Sequence, residues 1–282
     1  MSYVRRASPL HAARPGVALA WCASLILAAI VVGHPLVLGV LAATVLAAAA
    51  GAGVGRRVLR SLWLSVPMAL LIVAIDALVN RNGLTVLARL GDAGPLGQLD
   101  ITLEAVCYGA SQGLVLIAIV ATCALAAAAI DPDEVLRSLR RLSFRSALTA
   151  TIATRMVPLL AADAQRVGEA QRCRPTPGGR LAVLRAITAN ALDRSLEVAA
   201  TLEVRGYGLA RAPRRARRPW SRHDLAFAGS AVAIAALPLA LQAPFRFYPA
   251  LHGSLNGTVA LLCGALALAA LAPFAQRRGT LR

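Results

Sequence analysis

The sequence predicts an all-α, polytopic membrane protein with about six transmembrane helices and a cytoplasmic insert of long helices. Three observations carry this expectation. First, 58% of the 282 residues are hydrophobic and only 15% are charged, whereas a soluble domain carries about 25% charge. Second, the apolar residues fall in charge-free runs of the length a bilayer demands, since a 30 Å hydrocarbon core takes roughly 17–25 helical residues. Third, the 30 basic residues, all of them arginine, gather in alternate segments between those runs.

Five runs stand out: Val17–Val32, Pro35–Ala52, Leu62–Val79, Leu225–Leu241 and Leu255–Phe274. A sixth, Ala105–Ile130, follows the acid Glu104 and is free of charge from Gly113 onward. Alanine and glycine dominate these runs. Small residues let helices approach closely in lipid, where a leucine gains nothing over the acyl chains around it. Arg5, Arg6 and Arg14 precede the first run as they would in a secretory leader. That run ends in Gly33-His34-Pro35 with no A-x-A site, and another run begins at once, so it reads as a span.

Arginine favours the cytoplasmic side. With both termini inside, the inner segments 1–16, 53–61, 131–224 and 275–282 hold 27 arginines, and only Arg81, Arg89 and Arg246 lie outside. This split accounts for most of the +17 net charge without nucleic acid. The expected organisation is four transmembrane helices over 1–130, a cytoplasmic helical insert over 131–222, and two further spans with a short tail over 223–282.

Catalytic and metal-binding constellations are not evident. The five cysteines are widely spaced with no C-x-x-C pair, and the four histidines do not group with carboxylates at ligand spacing, so neither a disulfide framework nor a resident metal is expected. No G-x-x-x-x-G-K-[ST] loop is present, which excludes ATP hydrolysis by that route. Asp76 is the acid deepest in a span, and an intramembrane acid is a functional candidate by default.

The insert opens with Asp131-Pro132-Asp133-Glu134. An acidic cap, proline at the first helical position and acids in the first turn all suit the positive end of a helix dipole. Val135, Leu136, Leu139 and Leu142 then recur at helical spacing beside Arg137, Arg140, Arg141 and Arg145, a basic amphipathic pattern. A second helix is expected over about 146–173, carrying Arg155 and Pro158, and the break Pro175-Thr176-Pro177-Gly178-Gly179 ends it. A third is expected over about 180–204. Its apolar stripe is Leu181, Leu184, Ile187, Ala191, Val198 and Leu202, with Arg185, Asp193, Arg194, Glu197 and Glu203 largely off it. Gly206 supplies the stop.

Both long helices thus end on an arginine beside a helix breaker: Cys173-Arg174-Pro175 and Val204-Arg205-Gly206. A planar guanidinium at such a tip suits two-point binding of a carboxylate in an acidic groove. Pro175 disfavours the helical conformation at Arg174, so the first tip is expected to present its arginine at a different angle from the second.

These residues resemble a known family. Glu169-Ala170-Gln171-Arg172-Cys173-Arg174 is similar to an "E-A-Q-R-A-R-G" stretch. The segment Leu196–Gly208 is similar to "A-M-E-A-R-G-Y-G". Arg155-Met156-Val157-Pro158 resembles "R-F-I-P", and Asp131–Leu142 resembles the "P-x-x-L-x-x-x-L" segment before it. All belong to the transmembrane T component of energy-coupling factor (ECF) transporters, the family that includes the CbiQ-type cobalt permeases. The resemblance covers about 131–210. Here position 173 is Cys where Ala is usual and 175 is Pro where Gly is usual.

The resemblance implies an energy-coupling subunit in the bacterial plasma (inner) membrane with both termini cytoplasmic. Its partners would be two ATPase subunits, which bind the ATP, and a small membrane-embedded S component, which binds a vitamin or a transition-metal ion. The chain itself would hold no cofactor. Arg174 would contact one ATPase and Arg205 the other, with Cys173, Pro175, Val204 and Gly206 flanking the tips and Arg155, Pro158, Glu203 and Tyr207 in support. The alternatives from residues alone are a permease subunit of a conventional ABC importer and a secondary transporter. The first usually presents one coupling loop per chain; the second would show inverted repeats and broken helices at the midplane.

Overall fold

The computed structural model describes residues 8–80, 83–92, 98–139, 144–173, 179–206, 219–241, 245, 247–248 and 256–275. The chain divides into two compact units. One comprises Met1–Pro132 with Trp220–Arg282, and the other Asp133–Pro219.

The first unit begins with α1 (Pro9–Ala12), α2 (Pro15–Val31), α3 (Pro35–Gly51) and α4 (Gly55–Val79). The strands β1 (Val86–Asp92) and β2 (Gln98–Thr102) follow, then α5 (Leu103–Ala129), and later α9 (Arg222–Ala240) and α10 (Gly257–Leu271), the last extended by a 3-10 turn to Ala275. Proline at the first helical position starts α1, α2 and α3, where its missing N–H costs nothing. Each of the six expected runs falls on a helix, and α4, α5, α9 and the stretch Gly257–Ala275 are long and apolar enough to cross a membrane. The other two, α2 and α3, are 17 residues long, at the short limit of a span.

Helix α5 is the centre of this unit and packs on α2, α3 and α4. Its buried positions are mostly small: Ala105, Gly109, Gly113, Ala118, Ala121, Ala124 and Ala128 among them. Ser61, Ser65 and Ala69 continue the seam on α4. A Cβ added at Gly109 would lie 2.9 Å from the Cα of Val73, against backbone. At Gly113 the nearest atom would be at 3.5 Å, an ordinary contact. Gly109→Ala is therefore expected to destabilise the α4–α5 pair by about 1–3 kcal/mol, the usual cost of overpacking. Gly113→Ala should leave unfolding near wild type; thermal melts of the helical signal in detergent distinguish the two.

Where α2, α9 and the final turn meet, Trp21 and Phe227 are fully buried. Their rings pack edge to face at 5.5 Å, and Phe274 completes the group. The Trp21 indole N–H donates to Ser230 Oγ (2.9 Å), which donates to the Ala269 carbonyl (2.6 Å). The polar edge of a buried tryptophan is thereby satisfied.

The antiparallel hairpin of β1 and β2 lies in the connection between two apolar runs, where the sequence predicted no element. Glu104, buried at the start of α5, holds its base: both carboxylate oxygens accept from the Thr85 N–H at 3.2 Å, and the Thr85 hydroxyl donates at 2.6 Å. The approach is close enough that a Cβ at Gly83 would fall 2.5 Å from the Glu104 carboxylate. The charge that marked the edge of the sixth run is thus a structural anchor for two short strands.

The second unit contains α6 (Pro132–Leu139, starting at the unit boundary), α7 (Phe144–Arg172) and α8 (Arg180–Val204). Asp133 and Glu134 lie in the first turn of α6 as expected. Pro158 sits inside α7, which continues through it.

Candidate functional site

Helices α7 and α8 pack on one another, and their half-buried positions define the seam. On α7 these include Ile152, Met156, Leu160, Asp163 and Val167; on α8 they include Val183, Ile187, Ala191, Arg194, Val198 and Leu202. The sequence stripe needs two corrections. Leu181 and Leu184 are 80% and 58% exposed, so they lie outside the seam. Arg194, expected largely off it, lies within it and pairs with Asp163 across the helices at 3.3 Å. A cation is tolerated there because a carboxylate faces it. The opposing residue is 31 positions away, and helical periodicity carries no trace of it.

Arg166 also reaches Asp163, at 3.9 Å. The pair stands eleven residues before Arg205, about 16 Å along α8 at 1.5 Å per residue.

The tip of α8 follows from its last residues. Arg205 caps the helix, with its N–H directed to the carbonyls of Thr201 and Glu203. Gly206 adopts φ +72° and donates to the Glu203 carbonyl at 2.8 Å. A Cβ there would meet nothing within 4 Å, so the left-handed backbone alone, and not lack of room, calls for glycine. The left-handed residue ends the helix at the tip, and the tip is open. Val204 is 89% exposed, and Glu203 and Arg205 are exposed beside it. No described carboxylate pairs with Arg205. An apolar residue and a cation displayed together, with no carboxylate partner among the described residues, can be covered and neutralised by another protein.

At the end of α7, Arg172 lies in the last helical turn and Cys173 is an exposed turn residue. Arg174, Pro175 and Tyr207 lie outside the described residues. Arg155 and Pro158 are exposed on α7; the structure does not bring them to the α8 tip.

Two charged groups of the first unit do structural work that sequence reading missed. Asp224, in the first turn of α9, is buried. It accepts from the Arg14 N–H at 2.7 Å and the Ser221 N–H at 2.9 Å, and it pairs with the Arg14 guanidinium at 3.3 Å. Ser221 Oγ accepts from the Asp224 N–H in return, which completes a capping box. The Arg14 guanidinium also lies 5.3 Å over the ring of Trp220. Ser221-Arg222-His223-Asp224 before an apolar run was the available signal.

Asp76, the intramembrane candidate, packs beside Gly109 on the α4–α5 seam. Nearby, Tyr108 meets Phe247 and Tyr248 at ring distances of 5.4 and 5.9 Å. The Tyr248 hydroxyl is buried without a hydrogen bond among the described residues. Burial, and then the negative charge of Asp76, hold its phenol above the ordinary range.

Comparison with known proteins gives one result. A family model described as "CbiQ: Cobalt transport protein" matches residues 6–217, a span that takes in α1 to α8. No curated protein matches the chain.

Proposed function

Because the chain belongs to the CbiQ cobalt transport protein family, the T components of ECF transporters, we propose that it is the energy-coupling subunit of such a transporter. It is a multi-pass membrane transport component and not itself an enzyme. In the proposed mechanism α7 and α8 are paired rigid arms. Each tip docks on one of two ATPase subunits, which bind and hydrolyse ATP on the cytoplasmic side. Movement of those subunits shifts the arms, and the arms shift a small S component that binds the solute, a transition-metal ion or a vitamin. A partner can drive such a change only by binding the two states differently.

The observation that carries this reading is the α8 tip. Arg205 and Val204 are presented bare at the end of a 25-residue helix, closed off by a left-handed Gly206. The partition of 27 of the 30 arginines supports the cytoplasmic placement of 131–224 and of both termini. The Asp163–Arg194 pair supports a defined register between the arms, because it links them side by side at 3.3 Å.

Co-expression of the full chain with candidate ATPase and S subunits tests the proposal. Native mass measurement of the detergent-extracted complex should find two ATPase protomers per chain. One protomer would favour a conventional ABC permease arrangement, and none would favour an ATP-independent carrier.

A further inference from the structure

Helix α4 carries an unexplained stripe at its start. Arg56, Leu59, Arg60, Trp63 and Leu64 line a shallow groove of about 400 Å³. Their spacing of i, i+3, i+4, i+7 and i+8 places them on one face of the helix. All five are exposed, Trp63 and Leu64 to 83% each. No described carboxylate pairs with Arg56 or Arg60.

The charge is poorly placed for the helix itself. Arg56 lies in the first turn, where the dipole is positive, and Val54 provides no side-chain cap. Arg56 and Arg60, four apart, also repel one another. An anion lying between them relieves both problems. The depth agrees: the 20 residues from Arg60 to Asn80 give about 30 Å of helix, the thickness of the hydrocarbon core. With Asn80 at one boundary, the two guanidiniums stand at headgroup level at the other. Trp63 then sits one turn inward, at the interface that tryptophan favours.

We infer that this stripe is a binding site for an anionic phospholipid, with Arg56 and Arg60 on the phosphate and Leu59, Trp63 and Leu64 along the acyl chain. A lipid fits better than a free anion because three of the five lining residues are apolar, and two of them, Trp63 and Leu64, continue the line of the groove away from the charge. The inference rests on the membrane placement of α4 and on none of the coupling assignments, so failure of ATPase docking would leave it standing.

The test is native mass spectrometry of the full-length chain with added phosphatidylglycerol or phosphatidylcholine of matched acyl chains. Two arginines near an anionic headgroup correspond to a preference of roughly thirtyfold for phosphatidylglycerol. In R56Q/R60Q that preference should fall to about twofold or less, and in R222Q, which removes an exposed arginine of α9, it should persist. Melting curves matching wild type show that the double variant is folded. Equal retention of phosphatidylglycerol by wild type and R56Q/R60Q would overturn the assignment, as would its displacement by millimolar inorganic phosphate. If R56Q/R60Q instead strips a co-expressed membrane subunit while lipid selectivity stays unchanged, the groove belongs to a protein partner and the lipid assignment is wrong.

Discussion

Arg205→Glu is expected to abolish co-purification of the ATPase subunit that docks on α8, and with it ATP-driven uptake. The tip is fully displayed and has no described acid of its own to pair with, so the substitution leaves this chain's fold untouched. In the proposed docked state the guanidinium would enter a desolvated acidic groove. Removing one member of such a pair costs about 2–5 kcal/mol, which is about thirtyfold to several thousandfold in affinity. Reversal adds repulsion to that loss. Arg205→Lys should fall between, because it keeps the charge and loses the planar two-point fork. Gly206→Ala probes the same tip differently. It strains the left-handed turn at φ +72° without touching the charge, and should lower docking less than Arg205→Glu. Pull-down yields at matched membrane expression, with uptake in the same cells, read all three.

The second large effect concerns the first unit. Asp224→Ala should destabilise it by about 3–5 kcal/mol, the usual consequence of deleting one partner of a buried ion pair. One carboxylate serves Arg14 twice and Ser221 once. Its removal takes away the acceptor that two backbone N–H groups share with a guanidinium whose side chain is only 22% exposed. Asp224→Asn keeps a carbonyl oxygen for one of those donors and should lose less. Arg14→Ala should lose less again, because Asp224 retains the capping box on α9. The order Asp224→Ala, Asp224→Asn, Arg14→Ala in unfolding free energy, measured in mixed micelles, is the checkable result. Equal losses for all three would mean that the guanidinium dominates the cluster.

Much of this molecule was legible from local signals. Helix α8 falls on 180–204 as expected, because a glycine-rich break precedes it and a left-handed glycine follows it. Both act within a few residues of the boundary they set. The apolar runs gave the membrane helices for a similar reason: a bilayer selects on length and charge, and both are properties of a contiguous segment. Features built from distant residues were not legible. Arg14 and Asp224 are 210 positions apart, and nothing near Arg14 marks it as half of a buried pair. Arg194 was set largely off the stripe because an arginine on a helix is ordinarily solvated, and only Asp163 on the other helix gives it a place at the half-buried seam. The hairpin of β1 and β2 was hidden by brevity. Strands of seven and five residues between two long apolar runs give too few alternations to stand out from a connecting loop.

The candidate site divides in the same way. The end of α8 was legible at Val204-Arg205-Gly206, because the cap is local. Its exposure was not in the sequence: that Val204 is 89% open depends on what the rest of the unit fails to cover. A bare valine next to an arginine with no carboxylate partner among the described residues is the structural finding that turns a common helix ending into a docking proposal.

The most direct test places a photo-crosslinking amino acid at position 204 in the full complex in native membranes. On illumination the account predicts an adduct with the mass of this chain plus one ATPase subunit, its yield altered when nucleotide is trapped on the ATPase. An adduct only within this chain, or with lipid, would contradict it.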